Sequence, residues 1–99
     1  MKIANCVAVL IALSFAASAQ AYPGQKLENQ AKITMDQATR IALKVQPGKV
    51  TSRELEHESG GSGLRYSFDI KQGNVTHEVG IDAKTGAVLE DSVEGPDAD

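Results

Sequence analysis

The pattern of apolar and polar residues changes period along the chain, and each period predicts a different element. Alternation is clearest over residues 64–71, where an apolar side chain follows every polar one. This period of two is typical of a strand with one buried face. The apolar members are Leu64, Tyr66, Phe68 and Ile70. Residues 75–81 alternate in the same way, and residues 87–93 predict a shorter strand.

Residues 34–45 show the period of a helix instead. Apolar residues recur at intervals of three and four, which places them on one helix face. They are Ala38, Ile41, Ala42 and Val45. Thr34 and Gln37 have the spacing of a capping box, which predicts the start of the helix at this point. Pro47 and Gly48 end it near Val45.

The first strand is predicted over residues 49–58, where Val50 and Leu55 are the large apolar residues. Their odd separation would put them on opposite faces of a regular strand, so we expect a bulge. One helix followed by three or four hairpin-linked strands predicts an α+β fold. The helix would pack on the apolar face of an antiparallel meander. The predicted core is Ile33, Ala38, Ile41, Ala42, Val45, Leu55, Tyr66, Phe68, Ile70, Val79, Ile81 and Val88.

The ends of the chain lack these periods. Lys2, the apolar run that follows it and the small residues before Tyr22 predict a secretory signal peptide over residues 1–21. We expect cleavage after Ala21, with a cut after Ala19 as the alternative. Residues 22–32 are polar and predict a flexible leader, residues 33–93 form the predicted domain, and residues 94–99 are expected to be a disordered acidic tail.

Cleavage changes the composition in two ways that narrow the function. It removes Lys2, which leaves nine basic and thirteen acidic side chains and a net charge of −4. It also removes Cys6, so the mature chain has no thiol for catalysis, metal binding or a disulfide. The acidic balance argues against binding to nucleic acids and to anionic membrane surfaces.

The candidate chemistry is sparse. His57 and His77 are weak candidates for a metal site if they lie across adjacent strands, but the sequence has no His-Glu-x-x-His motif. The alternating acidic run at Glu54, Glu56 and Glu58 is expected to be solvated and to guard a sheet edge. We identify no catalytic group and no cofactor site, and expect no enzyme activity.

The turn at residues 82–86 has the clearest physical role. The Asp82 carboxylate is expected to accept hydrogen bonds from amides two or three residues further on, and the Thr85 hydroxyl adds another. Gly86 supplies a backbone conformation that a β-carbon would strain. Asp82, Thr85 and Gly86 are therefore predicted to be structural turn residues that set strand register.

Residues 33–89 resemble the PepSY domain family. The matching segments are residues 33–38 at the start of the helix, 41–43 within it, 47–48 after it, Val50, 55–56 and 66–70 in the strands, and 78–89 at the last turn. The most specific segment is Asp82-Ala83-Lys84-Thr85-Gly86, which follows one strand and leads into another through Val88. The resemblance implies a non-catalytic module of the type found in protease propeptides and in small exported bacterial proteins.

Two functions follow from the residues and the resemblance. The first is an exported binding module, periplasmic or secreted, that inhibits or regulates an exported protease. A sheet edge, with the first strand as a candidate, or the open sheet face would be the binding surface. The alternative is a periplasmic protein that binds or senses a metal or small ligand through His57, His77 and the acidic face.

Overall fold

The computed structural model describes residues 21–95. It contains one helix, α1 (Met35–Val45), and four strands: β1 (Lys49–His57), β2 (Leu64–Gln72), β3 (Val75–Asp82) and β4 (Val88–Val93). The strands form one antiparallel sheet in the order β1-β2-β3-β4. The predicted α+β fold is confirmed, with four strands. The predicted signal peptide apart from Ala21, and the last four residues of the predicted tail, lie outside the described residues.

The start of α1 follows the predicted capping box. The Gln37 amide donates to the Thr34 hydroxyl at 3.0 Å, and the Thr34 amide donates to the Gln37 side chain at 2.9 Å. These two bonds satisfy amide groups that the first helical turn leaves without partners. β1 also contains the predicted irregularity, since its register with β2 shifts between Val50 and Ser52. This bulge lets both Val50 and Leu55 turn towards the core.

The core lies between α1 and one face of the sheet. Its largest buried side chains come from β1, β2 and β3 and agree with the alternation: Leu55, Leu64, Tyr66, Phe68, Ile70, Val79 and Ile81. The Tyr66 hydroxyl is satisfied by the Ile33 carbonyl, to which it donates at 2.7 Å. Within the described part of the chain, no helix is long and apolar enough to cross a membrane.

Some residues predicted to lie in the core are partly or largely exposed in the structure, and some buried residues were not predicted. Val88 is 44% exposed because α1 packs mainly on β2 and β3. Three other predicted core residues are only half-buried: Ile33, Ile41 and Val45. Three buried apolar residues were not in the predicted core: Met35, Leu64 and Ala83.

Residues 22–32, predicted as a flexible leader, instead include a 3₁₀ helix (Gln25–Gln30) that lies against β1. Tyr22, Leu27 and Ala31 pack on the core. The Leu55 amide of β1 donates to the Pro23 carbonyl at 3.0 Å. The leader therefore covers part of the β1 edge, at Leu55. Its apolar residues have no helical or strand period, which is why the sequence pattern did not reveal this packing.

Candidate functional site

The sheet face opposite α1 carries a concentration of acidic side chains. The strand register places Glu54 of β1 opposite Ser67 of β2, and Glu78 of β3 opposite Asp69 of β2. The surface here is a shallow depression of about 280 Å³. The carboxylates that line it, called the carboxylate face below, are Glu54, Glu56, Glu58, Asp69, Glu78 and Glu90.

Partial burial, together with repulsion from neighbouring carboxylates, raises the pKa of two of these side chains, Glu54 and Glu78. Partial burial raises the pKa of Glu54, and the neighbouring carboxylates of Glu56, Asp69 and Glu58 raise it further. Partial burial likewise raises the pKa of Glu78, with Glu90 as the largest of its charged neighbours. Negative charge on this face therefore opposes folding at neutral pH, and protons or a basic partner relieve the repulsion.

This arrangement gives a stability prediction with a definite sign. A carboxyl whose pKa is higher in the folded than in the unfolded state makes the fold more stable as the pH falls. We expect the free energy of unfolding to increase from pH 8 to pH 5. The double variant Glu54→Gln/Glu78→Gln should be more stable than the wild type at pH 7 by about 1 kcal/mol and should lose much of this pH dependence.

Urea denaturation followed by circular dichroism across that pH range measures both effects. The matched control is Asp91→Asn, because Asp91 lies opposite Val79 and so on the other side of the sheet. It should change the pH dependence much less than the double variant. A wild-type stability that is flat or falls from pH 8 to pH 5 would contradict the repulsion.

Arg65 is the cation buried at the end of the carboxylate face. Its Nη1 lies 3.3 Å from Glu90 Oε1 and 3.8 Å from Glu58 Oε2, and its Nη2 donates to the Ser59 carbonyl. The stem of Arg65 crosses Gly80, where a β-carbon would lie 2.9 Å from its Cδ. Because Gly80 has no side chain, the Arg65 side chain can lie across it and reach β4 and the loop after β1. Arg65 thereby links both of them to β2.

Asp82 links two turns that are distant in sequence. Its carboxylate accepts hydrogen bonds from the Lys84 amide at 2.8 Å and the Thr85 amide at 3.0 Å, as the turn pattern predicts. It also accepts bonds from the Ser62 amide at 2.6 Å and the Ser62 hydroxyl at 2.9 Å. Burial would raise the pKa of Asp82, but these donors outweigh it and lower the pKa to about 2.

The rest of this turn has the geometry expected of a structural element. The Thr85 hydroxyl accepts a hydrogen bond from the Ala87 amide at 3.2 Å, and Gly86 has a φ of +83°. The Ser62 contacts could not be inferred from local turn chemistry, because Ser62 precedes Asp82 by 20 residues. Asp82 therefore joins the loop after β1 to the turn before β4.

The two histidines do not form a common site. His57 lies opposite Leu64 at one end of β2, and His77 lies opposite Ile70 towards the other end. β2 separates the strands that carry them, and the six residue-to-residue steps from Leu64 to Ile70 span about 20 Å. The condition for a shared metal site, adjacent strands, is not met.

A different group of potential ligands comes together on the open face. Carboxylate oxygens of Asp69, Glu78 and Glu94 lie within 4.8 Å of one another. The sequence analysis did not group these residues. The two-residue turn Gly73-Asn74 could have predicted part of this group. Pairing residues outwards from that turn places Asp69 opposite Glu78. Groups of exposed carboxylates of this kind are common without an ion.

Comparison with known proteins matches residues 32–91 to one family, described as the peptidase propeptide and YPEB domain. Neither the curated proteins nor the solved structures yielded a match to the chain. The matched segment includes α1, β1, β2, β3 and the first part of β4, and with them Arg65 and Asp82. It covers more than half of the chain. The chain therefore belongs to the PepSY family.

Proposed function

We propose that this protein is a non-catalytic exported module that binds an exported protease and restrains its activity. The observation that carries the proposal is the family match over residues 32–91. PepSY domains are generally non-catalytic, propeptide-like modules associated with proteases. Export rests on the predicted signal peptide of residues 1–21.

The surface of the domain supports binding to a basic partner. The carboxylate face presents one sign of charge, apart from the Arg65 guanidinium at its end. Such a surface steers an oppositely charged protein into contact and disfavours acidic ones. Binding should therefore weaken as salt is added.

The test uses residues 22–99 with an affinity tag as bait for the exported proteins of the source organism. We expect mass spectrometry to identify a protease that the tag alone does not capture. The purified protease should then lose activity as the module is added, with saturation at a fixed ratio of the two proteins. The triple variant Glu54→Gln/Glu56→Gln/Glu78→Gln should inhibit less at low salt.

The outcome is decisive in both directions. Saturable inhibition of a captured protease supports the proposal. If the module neither binds nor inhibits any exported protease of its source, the proposal is wrong. Inhibition that the triple variant retains in full would leave the function in place and remove the carboxylate face from the contact.

The alternative function is a sensor of metals or small ligands. The two histidines do not support it, because they lie on strands that are not adjacent. The group formed by Asp69, Glu78 and Glu94 is the arrangement that favours it. All-oxygen ligands suit Ca²⁺ better than Zn²⁺ or Cu²⁺. Calorimetry with each of these ions separates the two functions. Binding of Ca²⁺ below about 100 μM, near −5.5 kcal/mol, would favour the alternative.

A further inference from the structure

The two edges of the sheet differ in how much backbone they offer to a partner. β1 and β4 are the outermost strands. At β1, the Leu55 amide is already bonded to the Pro23 carbonyl, and the 3₁₀ helix lies beside the strand. At β4, the backbone pairing described is with β3. The first strand was the predicted candidate for strand addition, but among residues 21–95 β4 is the more open of the two edges.

The pairing of β4 with β3 shows which of its backbone groups point outwards. The Glu94 amide donates to the Thr76 carbonyl at 2.8 Å, so the backbone of Glu94 faces β3. Alternate residues of an antiparallel strand turn their N–H and C=O groups to opposite sides. Asp91 and Val93 therefore present their N–H and C=O groups to the outer side of β4.

The two faces of β4 have different chemistry. On the side of α1, Val88 lies opposite Ile81 and Val93 lies opposite His77, and these valines are 44% and 62% exposed. Asp91, opposite Val79, lies between them on the same face. On the other side, Glu90 lies opposite Gly80 and lines the carboxylate face. A strand added beside β4 would meet two exposed valines and the Asp91 carboxylate on the α1 side, and the carboxylate face on the other side.

We propose that β4 binds an extended segment of a partner protein in which basic and apolar residues alternate. The inference rests on the proposed function and specifies where the partner docks and what its segment contains. The N–H and C=O groups of Asp91 and Val93 would extend the sheet by one strand. Lysine or arginine side chains of the segment would face Glu90 and its neighbours, and apolar side chains would cover Val88 and Val93.

Charge disfavours a second copy of this chain as the occupant. Pairing β4 with the β4 of another molecule would bring together two sets of acidic side chains, those of Glu90, Asp91 and Glu94. Like charges on neighbouring strands destabilise a sheet. The same residues favour a basic segment, which makes a heterologous partner the better match.

The probe is a synthetic peptide, acetyl-Thr-Lys-Val-Lys-Val-Lys-Thr-amide, with a fluorescent label. Its counterpart carries glutamate in place of each lysine. Fluorescence anisotropy with residues 22–99 should show the lysine peptide binding at least about tenfold more tightly than the glutamate peptide at low salt. In ¹H–¹⁵N spectra of the wild-type protein, the amides of Asp91 and Val93 should shift and become protected from hydrogen exchange.

A proline variant tests the backbone contact. Asp91→Pro removes a donor that points outwards, so it leaves the bonds between β3 and β4 intact. It should weaken peptide binding by at least about tenfold relative to Asp91→Asn, which controls for the lost charge. Circular dichroism of both variants checks the fold. If Asp91→Pro is unfolded, the wild-type amide shifts alone decide.

Absence of binding, or shifts confined to β1 or to the loops, would overturn the inference. Its failure can be told apart from failure of the proposed function. If Asp91→Pro inhibits the captured protease as strongly as the wild type does, docking at β4 is refuted and the proposed function stands. Peptide binding at β4 without any captured protease would refute the function and leave the edge site standing.

Discussion

Replacing Asp82 with alanine is expected to lower the free energy of unfolding by about 3 kcal/mol. The Asp82 side chain is buried and accepts four hydrogen bonds, three of them from backbone amides. Alanine would leave the amides of Ser62, Lys84 and Thr85 without this acceptor. A cysteine-free domain of this size is stable by about 3–5 kcal/mol, so much of that stability would be lost. Urea denaturation followed by circular dichroism measures the change.

The pH dependence identifies the carboxylate as the cause. The pKa of Asp82 is about 2 in the folded protein, below its ordinary value of 3.8. A lowered pKa stabilises the fold above the ordinary value, and this contribution is lost as the pH falls towards 2. The stability difference between wild type and Asp82→Ala should therefore shrink between about pH 4 and pH 2.

Two further variants control this experiment. Asp82→Asn keeps one oxygen but turns an amide group towards the Ser62 amide, so its effect should be intermediate. Thr85→Ala removes the longer bond from the Ala87 amide and should cost only about 1 kcal/mol. A loss below about 1 kcal/mol for Asp82→Ala would show that Asp82 does not hold the two turns together.

Replacing Gly24 with alanine should release the leader from β1. Gly24 has a φ of +85°, and a β-carbon there would lie 1.7 Å from the Leu55 carbonyl oxygen. Neither the backbone conformation nor the space admits a side chain. We expect the free energy of unfolding to fall by about 2 kcal/mol. The loss cannot exceed what the leader contributes through the contacts that Tyr22, Leu27 and Ala31 make with the core. Hydrogen exchange at the Leu55 amide should also accelerate, because its acceptor is the Pro23 carbonyl.

Gly63→Ala is the matched control for this variant. Gly63 has a similar φ of +90°, but a β-carbon there meets nothing within 4 Å. It should lose about 1 kcal/mol from backbone strain and leave the exchange of the Leu55 amide unchanged. Equal effects of the two variants on the Leu55 amide would mean that the leader is not held by the close approach at Gly24.

The elements of the fold could be predicted from the sequence where local rules apply. The capping box at Thr34, the alternation along β2 and the bulge in β1 each depend on residues close together in the chain. The burial of Arg65 depends on the space above Gly80, which lies on a neighbouring strand. The exposure of Val88 depends on how far α1 extends across the sheet. Such features need the tertiary arrangement before they can be inferred.

The candidate site was predictable in part for the same reason. The bonds from Lys84 and Thr85 to Asp82 could be predicted from local turn chemistry. The bonds from Ser62 could not, because they form only when the two loops meet in space. The open face was predicted as an exposed surface. Its raised pKa values depend on carboxylates that two strands bring together around Glu54 and three strands bring together around Glu78.

The order of the strands has a consequence for folding speed. Each strand pairs with the strand that precedes or follows it in the chain, and the connecting loops are short. Short loops lose little entropy on closure, and a topology rich in such contacts folds faster than one in which distant segments must meet. The leader and the Asp82–Ser62 contact close the longer loops and would form later. A newly released chain would thus acquire its sheet before its β1 edge is covered.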